Sequence, residues 1–123
     1  MESSEYTSSF VQGDDSQLLS AIKQRDAACT PLLRTDPMKA LQLALVDPPF
    51  QTRTVEVKDA ACDVVCKALM SVKEADIETV VGALSLDDCD VLMKYIYRGL
   101  GQPRKDKQYP VLLKWHPAVL KRT

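Results

Sequence analysis

The side chains that could do chemistry in this chain are four cysteines and one histidine. Cys62 and Cys66 stand four positions apart, so on a helix their two thiolates could face the same metal ion. A zinc site needs four ligands, and no CxxC pair or histidine cluster supplies the other two. Both cysteines also lie at the edge of an apolar helix face, where free cysteine behaves as a small hydrophobic residue. We therefore predict that they belong to the core.

His116 is the only histidine, and it could act in a dyad only beside a reactive, accessible cysteine. Its neighbours Trp115 and Pro117 indicate packing or the end of a helix instead. The carboxylates are spread along predicted solvent faces, and no glycine-rich phosphate loop is present. The sequence predicts no active site, no cofactor and no bound metal, and hence a protein that is not an enzyme.

The length of 123 residues suits one domain, and the apolar fraction of 46% is that of a globular protein. The formal net charge of −1 argues against a chain dedicated to nucleic acid. This charge is unevenly distributed, because the acidic side chains of residues 1–15 have no basic counterpart, while residues 98–123 are strongly basic. We predict an acidic, extended tail over 1–15, with Tyr6 and Phe10 as its apolar anchors, and a helical core over 16–123.

The basic end offers a different function. Arg104, Lys105 and Lys107 lie near Tyr109 and Trp115, a weak form of the aromatic and basic pattern that binds nucleic acid. A solvated loop is the simpler interpretation, and contact with an acidic protein surface ranks above nucleic acid. The alternative function is therefore a stand-alone helical module that binds nucleic acid or acidic surfaces through this end.

The sequence shows no export or membrane signal. The first ten residues lack the basic start and the apolar stretch of a signal peptide, and no apolar run approaches the ~20 residues that span a bilayer. Unpaired cysteines then suit a reducing compartment. These features predict a soluble cytosolic protein with no membrane contact.

The apolar residues recur with helical spacing and never alternate as in a strand, which predicts an all-α fold. We expect a single domain of about six short helices, packed as an α-α superhelix or orthogonal array. The first two predicted helices cover residues 17–29, after a cap at Asp15 or Ser16, and 37–45, after a cap at Asp36. The longest runs from Thr52 or Thr54 to about Val72, and the next covers 77–84, entered from Glu74 or Asp76. The last two cover 85–99 and 109–116, the latter kinking or stopping near His116 because of Pro117.

The helix predicted over 85–99 is central to this arrangement. Its polar residues Asp90, Lys94 and Arg98 form one narrow stripe, and the remaining surface is apolar or amphipathic, so it must be covered on several sides. Ser85 is its predicted N-cap and Gly99 the glycine that closes it. The candidate partner contacts combine residues of types that are common at protein interfaces with the two apolar anchors of the tail. They are Tyr6, Phe10, Met93, Lys94, Tyr97, Arg98 and Trp115.

Several segments together resemble one known family. They are Pro48-Pro49, Thr52, Val57-Lys58-Asp59, Leu92-Met93-Lys94-Tyr95-Ile96-Tyr97-Arg98-Gly99 and Leu112-Leu113-Lys114-Trp115-His116. In order and spacing they are similar to subunit 5, the smallest subunit, of the actin-related protein 2/3 complex, from about Ala40 to Trp115. The Met-Lys-Tyr-Ile-Tyr run is long and unusual, which makes a chance match improbable.

The resemblance implies an all-helical core that packs on subunit 4 and on the β-propeller subunit 1, and an acidic tail that reaches the actin-related protein 2 subunit. It implies a non-catalytic scaffold in a hetero-oligomer that nucleates branched actin filaments, in the cytoplasm at the actin-rich cortex and projections. From the net charge and the absence of a long apolar run, we predict no partner among nucleic acids or membranes.

This sequence departs from the family pattern at both ends. Residues 1–35 match only in acidic character, and the segment 27–34 looks inserted. Family members continue past the Trp-His helix into a Gly-Gly and a final apolar, basic helix, whereas this sequence stops at Thr123 and carries Pro117 where the family helix is unbroken. We expect part of the core to be left uncovered there.

Overall fold

A computed structural model describes residues 13–49, 52–101 and 108–123. Within these ranges all regular structure is helical, which confirms the all-α prediction. The elements are α1 (Gly13–Cys29), α2 (Leu32–Thr35), α3 (Pro37–Ala44), α4 (Val55–Ser71), a 3₁₀ turn (Glu74–Asp76), α5 (Ile77–Ala83), α6 (Leu86–Leu100) and α7 (Tyr109–Leu120).

Two differences from the predicted helices lie near the start of the chain. The short helix α2 was not predicted, and it falls in the segment that looked inserted. Helix α1 begins at Gly13, four residues earlier than expected, so its first turn overlaps the end of the predicted tail. The division into tail and core, and the superhelical arrangement, stay predictions.

Asp15 does not cap α1 as predicted but ties α1 to α4. Its side chain is buried, at 6% exposure, and its Oδ1 accepts a hydrogen bond of 2.6 Å from the Thr52 hydroxyl. Its Oδ2 accepts a second bond from the hydroxyl of Thr54, the residue that precedes α4. A carboxylate held beside a helix N-terminus is stabilised by the partial positive charge of that end. One buried side chain thereby joins two helices.

The other two predicted N-caps are confirmed. The Asp36 side chain accepts a 3.2 Å bond from the Lys39 amide at the start of α3, and Pro37 occupies the first helical position. The Ser85 hydroxyl accepts a 3.0 Å bond from the Asp88 amide at the start of α6. Each bond satisfies one of the amides that a helix start leaves without an internal partner.

Gly99 does not close α6 as predicted. The helix continues to Leu100, and Gly101 is the residue that follows it, with φ −82°. Gly99 is needed for a different reason, since a Cβ placed there would lie 2.5 Å from Leu112 Cδ1 and 3.7 Å from Cys66 Sγ. The missing side chain lets α7 approach α6 and α4 closely.

The expected stop near His116 is also wrong, because α7 runs through Pro117 to Leu120, while the alternative expectation of a kink there stays a prediction. Proline removes one helical hydrogen bond, the one that the Leu113 carbonyl would accept. Leu113 is 51% exposed and Pro117 is exposed as well, so water can hydrate this carbonyl on the outer side of the helix. The inner side of α7 still packs, and that packing keeps the helix whole.

Arg122, just after α7, fastens this helix to the end of α5. Its guanidinium donates bonds of 2.6 Å to the Val81 carbonyl and 3.1 Å to the Leu84 carbonyl. These carbonyls belong to the C-terminal end of a helix, where a positive charge is favoured. The contact therefore serves as a cap supplied from another part of the chain.

Helix α4 lies at the centre, in contact with α1, α2, α3, α6 and α7. Trp115 of α7 is fully buried and, with Leu69 of α4 and Ile96 of α6, is among the largest enclosed side chains. All these helices contribute to one hydrophobic core. A closely packed interior has no room for added volume. We therefore expect the contact of α6 with α7 at Gly99 to be sensitive to any larger side chain.

We predict opposite effects for two glycine-to-alanine substitutions. Gly99→Ala forces a methyl group against the buried Leu112 and should lower the free energy of unfolding by about 1–3 kcal/mol. Gly82→Ala, in α5, meets nothing within 4 Å and should raise it by up to ~1 kcal/mol through helix propensity. Urea unfolding followed by circular dichroism measures both. Equal stability of the two variants would contradict the close approach of α6 and α7.

Candidate interaction surface

Cys62 and Cys66 are core residues, as predicted. Their exposures are 0% and 1%, and their sulfur atoms lie 3.9 Å apart. The Cys62 thiol also contacts the Tyr95 carbonyl oxygen at 3.6 Å. The hydrogen bond with Cys66 lowers the pKa of Cys62, against the effect of burial, which raises it. Among the described residues, no group of three or more His, Cys, Asp or Glu side chains could hold a metal ion.

The other two cysteines are equally enclosed. Cys29 is 2% exposed and its thiol contacts the Ala40 carbonyl oxygen at 3.3 Å, while Cys89 is fully buried. Burial raises the pKa of both thiols, because a thiolate loses hydration in the core. All four cysteines are buried, and none forms a disulfide bond. A nucleophilic cysteine needs the opposite environment.

His116 contacts Tyr97 of α6. Its Nε2 lies 3.0 Å from the Tyr97 hydroxyl, and the two rings meet edge to face with centroids 5.3 Å apart. Such an aromatic pair contributes about 0.5–1.5 kcal/mol beyond its buried area. The histidine therefore links α7 to α6 at the surface.

The predicted partner contacts divide by accessibility. Trp115 is 0% and Met93 9% exposed, so both side chains pack inside the chain and support the surface from beneath. Tyr97 is 56% exposed, Lys94 is exposed, and the half-buried Arg98 pairs with Asp59 at 2.9 Å. Tyr6 and Phe10 lie outside the described residues.

The structure adds a surface that the sequence analysis missed. We name it the α7 stripe: Tyr109, Leu113, Pro117 and Leu120, all exposed along the outer side of that helix. Their spacing of four, four and three residues places them on one face. The sequence did contain a signal, since α7 is apolar on nearly all sides and only one side can face its own core.

Exposed tyrosine and ion pairs border the stripe. Tyr97 lies along the edge toward α6, joined to α7 through His116. On the edge toward α5, Lys114 pairs with Glu74 at 2.8 Å and Lys121 with Glu78 at 3.5 Å. Exposed pairs of this kind add little stability, so their effect here is to give the apolar stripe a polar rim. An apolar centre with a polar rim is the pattern of protein interfaces.

The described part of the chain is an all-α protein with an exposed apolar stripe along its last helix. None of the helices in the ranges 13–49, 52–101 and 108–123 has the length and apolarity of a membrane span. The family described as ARP2/3 complex 16 kDa subunit (p16-Arc) matches residues 2–123. The chain belongs to this family, as the sequence resemblance predicted.

Individual relatives agree with this assignment. Actin-related protein 2/3 complex subunit 5 of Dictyostelium discoideum is 39% identical over 109 residues, 88% of this chain and 77% of the relative. Subunit 5-C of Xenopus laevis is 43% identical over 83 residues, 68% and 55% of the two chains. Subunit 5 of Saccharomyces cerevisiae is 40% identical over 80 residues, 65% and 51%. The chain thus spans about half the length of the last two relatives.

We predict that the thiols are unreactive in the folded protein. A thiol reagent such as dithionitrobenzoate should modify no cysteine until the chain opens, because all four side chains are buried. In denaturant the same reagent should titrate all four. Rapid modification of Cys62 in native buffer would show that this thiol is accessible and would revive a chemical role for it.

Proposed function

We propose that this protein is a non-catalytic structural subunit of the actin-related protein 2/3 complex, which nucleates branched actin filaments. The observation that carries the proposal is the family match over residues 2–123. Relatives named as subunit 5 of that complex, from an amoeba, a vertebrate and a yeast, support it. A subunit of this kind acts by holding other proteins in place.

The chemistry of the described residues agrees with such a role. The four thiols are buried, and His116 is paired with Tyr97 at the surface. The accessible apolar side chains include the α7 stripe and the exposed Tyr97 beside it. Aromatic and aliphatic side chains gathered in one patch release free energy when a partner covers them.

We further propose that the subunit helps to hold actin-related protein 2 in the assembly. In this proposal the acidic segment 1–15, with Tyr6 and Phe10, reaches actin-related protein 2, and the helical core packs on subunit 4 and the β-propeller subunit 1. Tyr97, Lys94 and Arg98 are the predicted contact residues that the fold leaves accessible. The corresponding location is the actin cytoskeleton of the cell cortex and its projections.

The alternative function used the basic end to bind nucleic acid or acidic surfaces. Its central residues, 104–107, lie outside the described residues. It predicts binding that falls steeply as salt rises, because cations bound to the phosphates are released. No feature of the described residues favours it over assembly with proteins.

Affinity purification of the tagged full-length chain from cells tests the proposal. We expect mass spectrometry to identify actin-related proteins 2 and 3 together with the other subunits of the complex. Recovery of the chain without them, from cells that contain an intact complex, would contradict the proposed function. Depleting the chain should also lower the yield of branched filaments in extracts.

Substitutions on the exposed surface test which side binds. The double variant Tyr97→Glu and Leu113→Glu places two charges in the apolar patch, and we expect it to recover several-fold less of the complex. The control Leu86→Glu changes a residue of similar exposure, 58%, in the first turn of α6, where an acid is tolerated. Equal recovery by both variants would exclude this surface as an interface.

A further inference from the structure

One short part of the fold is held mainly from one side. We name it the α5 arm: residues 74–83, which comprise the 3₁₀ turn and α5. Among the described helices, α7 is the main neighbour of α5. On the other side, an open groove of about 740 Å³ lies between the arm and residues 33–38, which include the end of α2 and the start of α3. The position of the arm therefore depends on α7.

The arm has little stability of its own. Helix α5 has only seven residues, and within the described part of the chain the side chain of its N-cap residue, Asp76, makes no capping bond. The helix also contains Gly82, a residue type that disfavours helix formation. An isolated helix of this length is not stable in water. Packing against the rest of the molecule must keep it in place.

Extended residues join the arm to the core at both ends. Val72 and Lys73, which precede it, have ψ angles of 133° and 145°. Leu84 and Ser85, which follow it, have ψ angles of 151° and 162°. Residues at the ends of helices commonly absorb the backbone rotation when a segment moves as a unit. The arm can therefore turn away from the core without unwinding α4 or α6.

Arg122 makes the strongest polar contact between the end of α7 and the arm. The two ion pairs that also join them are exposed, so they add little stability. The guanidinium of Arg122 is half-buried and donates bonds of 2.6 Å to the Val81 carbonyl and 3.1 Å to the Leu84 carbonyl. Bonds from a charged donor are stronger than those from a neutral one, and partial burial limits competition from water.

We propose that the α5 arm opens as a unit while the rest of the core stays folded, and that Arg122 keeps it closed. Opening uncovers the buried side chains of Ile77, Val80 and Val81 and enlarges the groove beside α3. Helix α7 also packs on α4 and α6, so it can stay in place when the arm leaves. Arg122 thereby controls whether this apolar surface is exposed. The proposal goes beyond the proposed function, because it concerns a movement within the chain itself.

Cys89 can report on the position of the arm. This residue is fully buried in the first turn of α6, and its sulfur lies 3.9 Å from the Val81 carbonyl oxygen. The other three thiols lie elsewhere in the core, where Cys29 contacts α3 and Cys62 and Cys66 contact each other. Opening of the arm alone should therefore expose Cys89 and leave the other three covered.

Alkylation with iodoacetamide, followed by peptide mass spectrometry, tests this on the full-length chain. We expect Cys89 to be modified before the other three thiols. In the variant Arg122→Gln its modification should be about ten-fold faster than in the wild type, because two charge-assisted bonds are lost. The control Lys67→Gln also removes one positive charge and one contact between helices, the ion pair with Asp26, and should leave the Cys89 rate unchanged.

The direction of the effect separates access from electrostatics. Burial raises the pKa of the Cys89 thiol, and the nearby charge of Arg122 lowers it. Removing Arg122 therefore raises this pKa, which by itself would reduce the thiolate fraction and slow the alkylation. Faster alkylation of Cys89 in the variant must then come from greater access.

Two results would overturn the proposal. Equal acceleration at all four cysteines in Arg122→Gln would show that the chain opens as a whole and has no separate arm. A Cys89 rate equal to that of the wild type would show that Arg122 does not keep the arm closed.

Hydrogen exchange of the wild type decides the question even if the variant folds poorly. The Leu84 amide, bonded to the Val81 carbonyl at 3.2 Å, reports on the end of α5. We expect it to exchange faster than the bonded amides of α4, and with a weaker dependence on urea, since a local opening exposes little new surface. The same rate and the same urea dependence at both places would refute the independent arm.

Discussion

The close contact of α6 with α7 at Gly99 is the constraint on which the rest of the packing depends. Without a side chain at this position, Leu112 can lie where a Cβ would stand, and Cys66 of α4 reaches the same point. Three helices therefore converge around one glycine, and Trp115 is enclosed one turn further along α7. The same contact fixes which side of α7 faces outward. The α7 stripe and the burial of Trp115 are two results of one close approach.

Apart from the short α2, the helices could be predicted from the sequence, because periodicity and local capping act over a few residues. Asp36 and Ser85 cap their own helices, and such bonds can be recognised from neighbouring positions alone. The predictions were wrong where residues that are distant in the sequence determine the local structure. Packing of its inner side keeps α7 helical beyond Pro117. Gly99 is required because Leu112 packs against it, and not because it ends its own helix. Asp15 likewise accepts hydrogen bonds from the segment before α4 instead of capping its own helix.

The candidate site was predictable only in part, for a related reason. The sequence indicated that α6 must be covered on several sides, but periodicity does not reveal which apolar residues their own domain covers. Met93 and Trp115 are covered here, whereas Tyr97 and Leu113 are exposed, although all four are residue types common at interfaces. Family resemblance supplied the proposed function, and the structure showed which predicted contact residues are accessible.

The order of the helices along the chain has a consequence for synthesis on the ribosome. The central helix α4 ends at Ser71, but Trp115, which completes the core, comes far later. At about 5–20 residues per second, translation takes roughly 2–9 s to cover that interval. Hydrophobic collapse takes at most about 100 μs in a chain of this size. The nascent chain thus presents an incompletely covered α4 for seconds, and translation rather than folding sets the period of greatest risk of aggregation.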